Sequence, residues 1–144
     1  MKTAREWFQI GEQAEQAGDL VVALDAYRKS VKAGPRVAAP WIGLAQVLTK
    51  NQQPADALEC LKRAVVVDPN NPLALRRLAR AFQGAGDVQS AELAYKRSLS
   101  LEPDSSHGAL GLAQLYEDIG DSASAAAHYR ALLDRVPGHS EALN

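Results

Sequence analysis

The feature that most constrains this chain is an interval of 34 residues at which the same residue types return. Two columns hold this interval four times without insertion or deletion: Pro35, Pro69, Pro103 and Pro137, and Ala23, Ala57, Ala91 and Ala125. Such a period predicts a tandem array whose core is linear, because each repeat packs only on its neighbours. The predicted repeats span residues 4–37, 38–71, 72–105 and 106–139, and residues 140–144 begin a truncated fifth helix pair or a capping helix.

The third repeat shows what each unit contains. Its small and apolar residues follow a helical period in two stripes, which are Leu75, Leu78, Ala79 and Phe82, and then Ala91, Tyr95, Ser98 and Leu99. Gly86 breaks the first helix, and the Asp87 side chain can accept from the free N–H groups that open the second. Pro103 ends the second helix because proline has no N–H to donate. The unit is therefore predicted to be two antiparallel helices joined by a tight turn, which makes the fold all-α.

The second repeat replaces the Gly-Asp pair of the turn by Gln52 and Gln53. Pro54 follows, and proline suits the first position of a helix, where its missing N–H would be unpaired in any case. We therefore expect the same turn there, formed by different residues.

Charge and composition argue against several classes of function. The chain has 16 basic and 17 acidic residues, so it has no general attraction to nucleic acid or to an anionic membrane. No apolar run approaches the roughly 20 residues of a membrane span, and the N-terminus is charged where a signal peptide needs an apolar core. The default expectation is a cytoplasmic protein.

No catalytic residue, metal site or cofactor is predicted. Cys60 is the only cysteine, so it cannot form an internal disulfide, and with no histidine placed to activate it we interpret it as a packing residue. His107, His128 and His139 lack the spacing and the cysteine company of a structural zinc site.

The repeat resembles the tetratricopeptide repeat along essentially the whole chain. The residues that carry the resemblance in the first copy are Trp7, Ile10, Gly11, Gly18, Asp19, Ala23, Tyr27, Ser30 and Pro35. The departures are Ala14 and Leu48 for the tyrosine of the first helix, Ala109 for the tryptophan and Leu132 for the second alanine. The resemblance implies a right-handed superhelical solenoid whose first helices line a concave groove. Proteins of this family generally bind peptides or partner proteins there, and the repeats are not catalytic.

Within that groove, the inner face of the third repeat carries Arg76, Arg77 and Arg80, and the corresponding positions of repeats two and four hold no acidic residue. A guanidinium pairs well with a carboxylate through two parallel hydrogen bonds, so this trio is a candidate site for an acidic group. The other candidate groove residues are Phe8, Glu12, Ile42, Gln46, His107, Leu110 and Gln114. The alternative interpretation is that the arginines only solvate a helix. Likewise, Glu12 and Glu15 form either a solvated face or a site for a basic residue.

One known class of the family holds the C-terminal carboxylate of heat-shock chaperones with lysine, asparagine and arginine side chains. The matching positions here are Phe8, Glu12, Gly43, Leu73 and Arg77, of which only Arg77 fits. A frame shifted by one repeat also fails, and we reject this ligand.

The sequence therefore predicts a non-enzymatic module that binds a protein or peptide, with an acidic ligand group at the arginines. Two alternatives remain open. The first is self-association into a homo-oligomer through the terminal repeats, and the second is that these repeats are part of a longer enzyme such as a transferase.

Overall fold

A computed structural model of the protein describes residues 1–134, which contain eight α-helices and no strand. The predicted start of a fifth helix pair at 140–144 lies outside the described residues, as does the end of the fourth repeat. The helices are α1 (Ala4–Gln16), α2 (Leu20–Ala33), α3 (Ala38–Lys50), α4 (Pro54–Val67), α5 (Pro72–Gly84), α6 (Val88–Leu101), α7 (Ser106–Asp118) and α8 (Ser122–Asp134).

The helices pack in consecutive pairs. Each first helix packs on the second helix of its own repeat, and each of α2, α4 and α6 also packs on the first helix that follows. The first helices α1, α3, α5 and α7 contact one another in turn. They therefore form one continuous layer, which is the surface on which the sequence places the groove residues. The predicted all-α fold of stacked helix pairs is confirmed.

The turns inside the repeats use the predicted chemistry. Gly18, Gly86 and Gly120 adopt φ angles of 79°, 83° and 82°, the left-handed region in which glycine has no steric penalty. The aspartate after each glycine caps the next helix; Asp87, for example, accepts from the Ser90 N–H at 3.2 Å. In the second repeat Gln52 takes this left-handed position, with φ of 60°, and Pro54 begins α4.

Tyrosine rings set the spacing between neighbouring first helices. The Tyr27 ring lies between Gly11 and Gly43, and a Cβ added at either glycine would come within 2.7 Å of a ring atom. Tyr95 packs on Gly111 in the same way, at 2.5 Å. A larger residue at these glycines would force the helices apart.

In the first and third repeats, a buried serine connects the end of the second helix to the start of the first. The Ser30 hydroxyl donates to the Ala4 carbonyl at 2.7 Å, and the Ser98 hydroxyl donates to the Pro72 carbonyl at 3.1 Å. Leu132, which occupies this column in the fourth repeat, has no hydroxyl and is half-buried. It cannot make the bond, so the end of α8 lacks this connection.

The turn of the second repeat contains a strained residue, because a non-glycine residue in the left-handed region costs about 1 kcal/mol. We therefore expect Gln52→Gly to raise the free energy of unfolding by up to about 1 kcal/mol, measured by urea denaturation. Asn51→Gly is the matched control. Asn51 has φ of −87°, and its Nδ2 donates to Gln53 Oε1 at 2.8 Å. Glycine there adds unfolded-state entropy and removes this exposed bond, so it should lower stability. A loss of stability in Gln52→Gly would contradict this account.

Candidate peptide-binding groove

The layer of first helices carries two adjoining cavities that together contain all ten predicted site residues. The first, the repeat-1 cavity, has a volume of about 400 Å³ and includes Phe8, Glu12, Ile42 and Gln46 in its wall. The second, the arginine cavity, has a volume of about 380 Å³ and includes Arg76, Arg77, Arg80, His107, Leu110 and Gln114. Leu73 lines both cavities, so they are adjacent along the layer.

The arginine cavity brings three guanidinium groups together without an acid. Among residues 1–134, none of Arg76, Arg77 and Arg80 forms an ion pair with a carboxylate. Burial, and then the charges of Arg76 and Arg80, lower the pKa of Arg77 below its ordinary value. Arginine nevertheless stays charged. The cavity is therefore a site of concentrated positive charge.

Arg77 differs from its two neighbours because a side chain of the second repeat holds it. Gln46, with its amide oxygen turned to the guanidinium, accepts hydrogen bonds from Arg77 Nη2 at 2.8 Å and Nη1 at 2.9 Å. The amide is neutral, so the positive charge remains, as the sequence led us to expect. The guanidinium of Arg77 is nevertheless engaged, and Arg76 and Arg80 are the arginines left for a ligand.

One hydrogen-bond donor of Arg76 also lacks an acceptor. Its Nε is buried and has no hydrogen-bond partner within the described part of the chain. A buried donor without a partner destabilises a fold by roughly 1–3 kcal/mol. An acceptor that drew the guanidinium outward would relieve this penalty.

In the repeat-1 cavity, one of the two predicted acidic residues already bonds to other side chains of the protein. Glu15 Oε1 accepts from the Tyr27 hydroxyl at 2.9 Å, and Glu15 Oε2 pairs with Lys50 Nζ at 2.9 Å. Burial, and then the Glu15 carboxylate, raise the pKa of Tyr27 above its ordinary value. Glu12 is exposed and forms no ion pair with another described residue. A basic ligand group could therefore use Glu12 alone.

The apolar candidates of this region differ in how much surface they offer. Ile42 is 7% exposed, so it forms wall and presents little free surface. Phe8 is half-buried and packs on the Tyr27 ring, with the ring centroids 5.8 Å apart. Leu110, at the other end of the groove, is 39% exposed.

Sequence reasoning missed several groove residues. Tyr27 and Tyr95 reach the groove from the second helices, although their period had placed them only in the packing. The signal that could have revealed this is glycine at Gly43 and Gly111, each 16 residues after a tyrosine. Lys50 was also missed, because its partner Glu15 lies in another repeat.

Comparison with known proteins gives the family. The model of the tetratricopeptide repeat matches residues 42–106 and 76–140, which is more than half of the chain. The chain belongs to the tetratricopeptide repeat family. The predicted fold class, a right-handed superhelical solenoid of antiparallel helix pairs, is that of its structural relatives. A comparison with curated protein sequences found no significant match.

Solved structures of this fold include two MamA proteins and a peptide complex. The crystal structure of MamA is 28% identical, with a TM-score of 0.81 over 90% of this chain and 75% of that one. MamA 41-end from Desulfovibrio magneticus RS-1 is 22% identical, with a TM-score of 0.84 over 92% and 75%. The first TPR of Spaghetti (RPAP3), bound to the HSP90 peptide SRMEEVD, is 21% identical, with a TM-score of 0.77 over 81% and 93%. At 22% and 21% identity, the similarity to the last two structures shows only that the fold is shared.

Among residues 1–134 the remaining chemical candidates of this tetratricopeptide repeat chain are not grouped into a site, and His139 lies outside the described residues. His128 Nδ1 lies 2.8 Å from the Ser124 carbonyl, and its ring packs on Tyr116. Within residues 1–134 no group of three His, Cys, Asp or Glu side chains could hold a metal ion. No helix in that part of the chain has the length and apolar character needed to cross a membrane.

Cys60 should react slowly in the folded protein. It is 8% exposed, and burial, followed by the Asp56 carboxylate, raises its pKa from 9.0 to about 11. Because the thiolate is the reactive form, its population near pH 8 falls roughly 100-fold from the pKa change alone. We expect iodoacetamide to label the folded chain at least roughly 100-fold more slowly than the chain in urea, with a rate that keeps rising beyond pH 9. Equal rates in the two states would contradict the packing role.

Proposed function

We propose that this domain binds an acidic segment of a partner protein along the layer of α1, α3, α5 and α7. The observation that carries the proposal is the arginine cavity, in which Arg76 and Arg80 have no acidic partner among the described residues. The family supports a protein-binding scaffold in general. The arginines without an acidic partner indicate that the ligand carries an acidic group.

Electrostatics favours a carboxylate at this position. Like charges on one helix face repel, and the repulsion is stronger where the groups are partly removed from water. A carboxylate between Arg76 and Arg80 would replace this repulsion by charge-assisted hydrogen bonds, which are stronger than those between neutral groups. It would also offer an acceptor to the unpaired Arg76 side chain.

The two cavities give the groove opposite charges along its length. Glu12 is the free acid of the repeat-1 cavity, and the arginines lie two repeats further along the layer. A segment with an acidic residue at α5 and a basic residue toward α1 would match both. Electrostatic complementarity therefore favours one direction of binding.

A structural relative supports peptide binding by this fold. The RPAP3 domain is bound to a peptide, SRMEEVD, that contains two glutamates and one aspartate. Our chain matches only Arg77 of the residues expected to hold a heat-shock tail, so the proposal is an acidic segment of a different partner. The distinguishing residues are Arg76 and Arg80.

The proposal is tested with fluorescein-labelled nonapeptides that contain either four glutamates or four glutamines in the same Gly/Ser/Leu scaffold. We expect the wild-type domain to bind the glutamate peptide at least about tenfold more tightly. Arg76→Ala with Arg80→Ala should remove most of this difference and weaken the dependence on salt, read by fluorescence anisotropy from about 50 to 300 mM NaCl.

The matched control is Arg63→Ala with Arg97→Ala. Both residues are exposed on second helices, and neither lines the groove cavities, so the net charge changes equally while the site stays intact. If the two double variants bind the glutamate peptide equally well, the site assignment is wrong.

A further inference from the structure

The junctions between consecutive repeats are closed by a hydrogen-bonded trio of side chains, with one exception. At the first junction the Tyr27 hydroxyl donates to Glu15 Oε1 and Lys50 Nζ bonds to Glu15 Oε2, both at 2.9 Å. These three residues come from α2, α1 and α3. The trio therefore connects both helices of one repeat to the first helix of the next.

The third junction repeats this arrangement with different residues. The Tyr95 hydroxyl donates to Gln83 Oε1 at 3.3 Å, and Gln83 Nε2 donates to Asp118 Oδ2 at 2.6 Å. Each of these residues stands 68 positions, two repeat lengths, after its counterpart in the first trio. The trio is thus a recurrent means of closing a junction.

At the second junction all three members are replaced by residues that cannot form the trio. Leu61 stands in the tyrosine column and has no hydroxyl. Thr49 donates its hydroxyl at 2.8 Å to the Ala45 carbonyl of its own helix. Gly84 has no side chain, and a Cβ added there would meet no atom within 4 Å. We call this junction open because it lacks the trio, although Gln46 still bonds to Arg77 across it.

The open junction contains a third cavity, the second-junction cavity, with a volume of about 320 Å³ between α3, α4 and α5. Its apolar wall is formed by Ile42, Ala45, Pro54, Ala57, Leu61 and Ala81. Its charged lining residues are Lys50, Arg77 and Arg80, and no acidic residue lines it. It is an apolar pocket with a positive margin.

We propose that the second-junction cavity receives one large apolar side chain, such as leucine or phenylalanine, from the acidic segment that binds at Arg76 and Arg80. The proposal rests on the proposed function and makes it more specific. Arg77 and Arg80 line both this cavity and the arginine cavity, so a residue in one lies next to a residue in the other. The ligand is therefore an acidic motif with a large apolar residue close to the acid.

The positive charge at the edge of the second-junction cavity favours an apolar side chain with acidic neighbours over apolar segments without them. Apolar contact with the wall favours a leucine or phenylalanine side chain by removing its surface from water. Lys50 is paired with Glu15, but Arg77 and Arg80 have no acidic partner among the described residues, so they disfavour a neighbouring lysine or arginine and favour a neighbouring carboxylate. A hydrophobic segment without acidic residues would leave the guanidinium of Arg80 without a carboxylate partner.

Gly84 allows the pocket to be filled without damaging the fold. In the other described repeats its position carries the longer side chains of Gln16, Lys50 and Asp118. Gly84 is exposed, lies within α5 and has open space at its Cβ position. Because glycine is a poor helix former, both Gly84→Leu and Gly84→Ala should be at least as stable as wild type. A loss of binding in Gly84→Leu would then not come from misfolding.

The experiment uses three fluorescein-labelled acidic nonapeptides that differ only in a central alanine, leucine or phenylalanine between glutamates. We expect the wild-type domain to bind the leucine or phenylalanine peptide at least about tenfold more tightly than the alanine peptide. Gly84→Leu should abolish this preference and leave the affinity for the alanine peptide unchanged. Gly84→Ala, with its single methyl group, should keep the preference.

The outcomes separate this inference from the proposed function. If acidic peptides bind but the central residue has no effect, or if the preference survives Gly84→Leu, the pocket assignment alone is overturned. If no acidic peptide binds, the proposed function fails and this inference fails with it. If Gly84→Leu changes the oligomeric state seen by sedimentation instead of the peptide preference, the cavity belongs to a contact between copies and the proposal is overturned.

Discussion

The packing of a tyrosine ring against glycine is the constraint on which the spacing of the repeats depends. The Tyr27 ring lies so close to Gly11 and Gly43 that neither position has room for a Cβ. The ring therefore fixes how near α1 and α3 come to each other and to α2. In a solenoid each such contact is local, because a repeat touches only its neighbours. A change at one junction can then alter the surface there without disturbing the others.

The second junction shows that consequence. Leu61 and Arg77 stand where the first junction has Tyr27 and Gly43, so a smaller side chain on one helix accompanies a larger one on the next. Arg77 is held there by Gln46. The same exchange that alters the packing thus brings a positive charge into the layer of first helices. Packing and surface charge are therefore linked at this junction.

The 34-residue period was enough to predict the helix pairs and their turns, because spacing alone determines which side of a helix a residue occupies. The choice of the face that carries the ten candidate groove residues came from the resemblance to the tetratricopeptide repeat. The period could not show that Lys50 and Tyr27 both bond to the Glu15 carboxylate, or that Gln46 bonds to the Arg77 guanidinium. These bonds depend on distances between repeats and on side-chain reach. The second-junction cavity was not predicted for a related reason. It results from three repeat positions whose residues all differ from those of the first and third repeats: Leu61, Thr49 and Gly84.

The arginine cavity also shows why stability and binding favour different residues. A cluster of guanidinium groups without acids, together with the buried unpaired Nε of Arg76, makes the unliganded domain less stable than packing alone would allow. A ligand that binds only the folded state and supplies the missing carboxylate would remove this destabilisation. The gain would be measured both as binding affinity and as a higher free energy of unfolding. Gln114 lines this cavity and is exposed, and an internal acid in its place would stabilise the unliganded domain but would neutralise the site. The lining of this cavity contains no acid, and the proposed binding of an external acidic group depends on that feature.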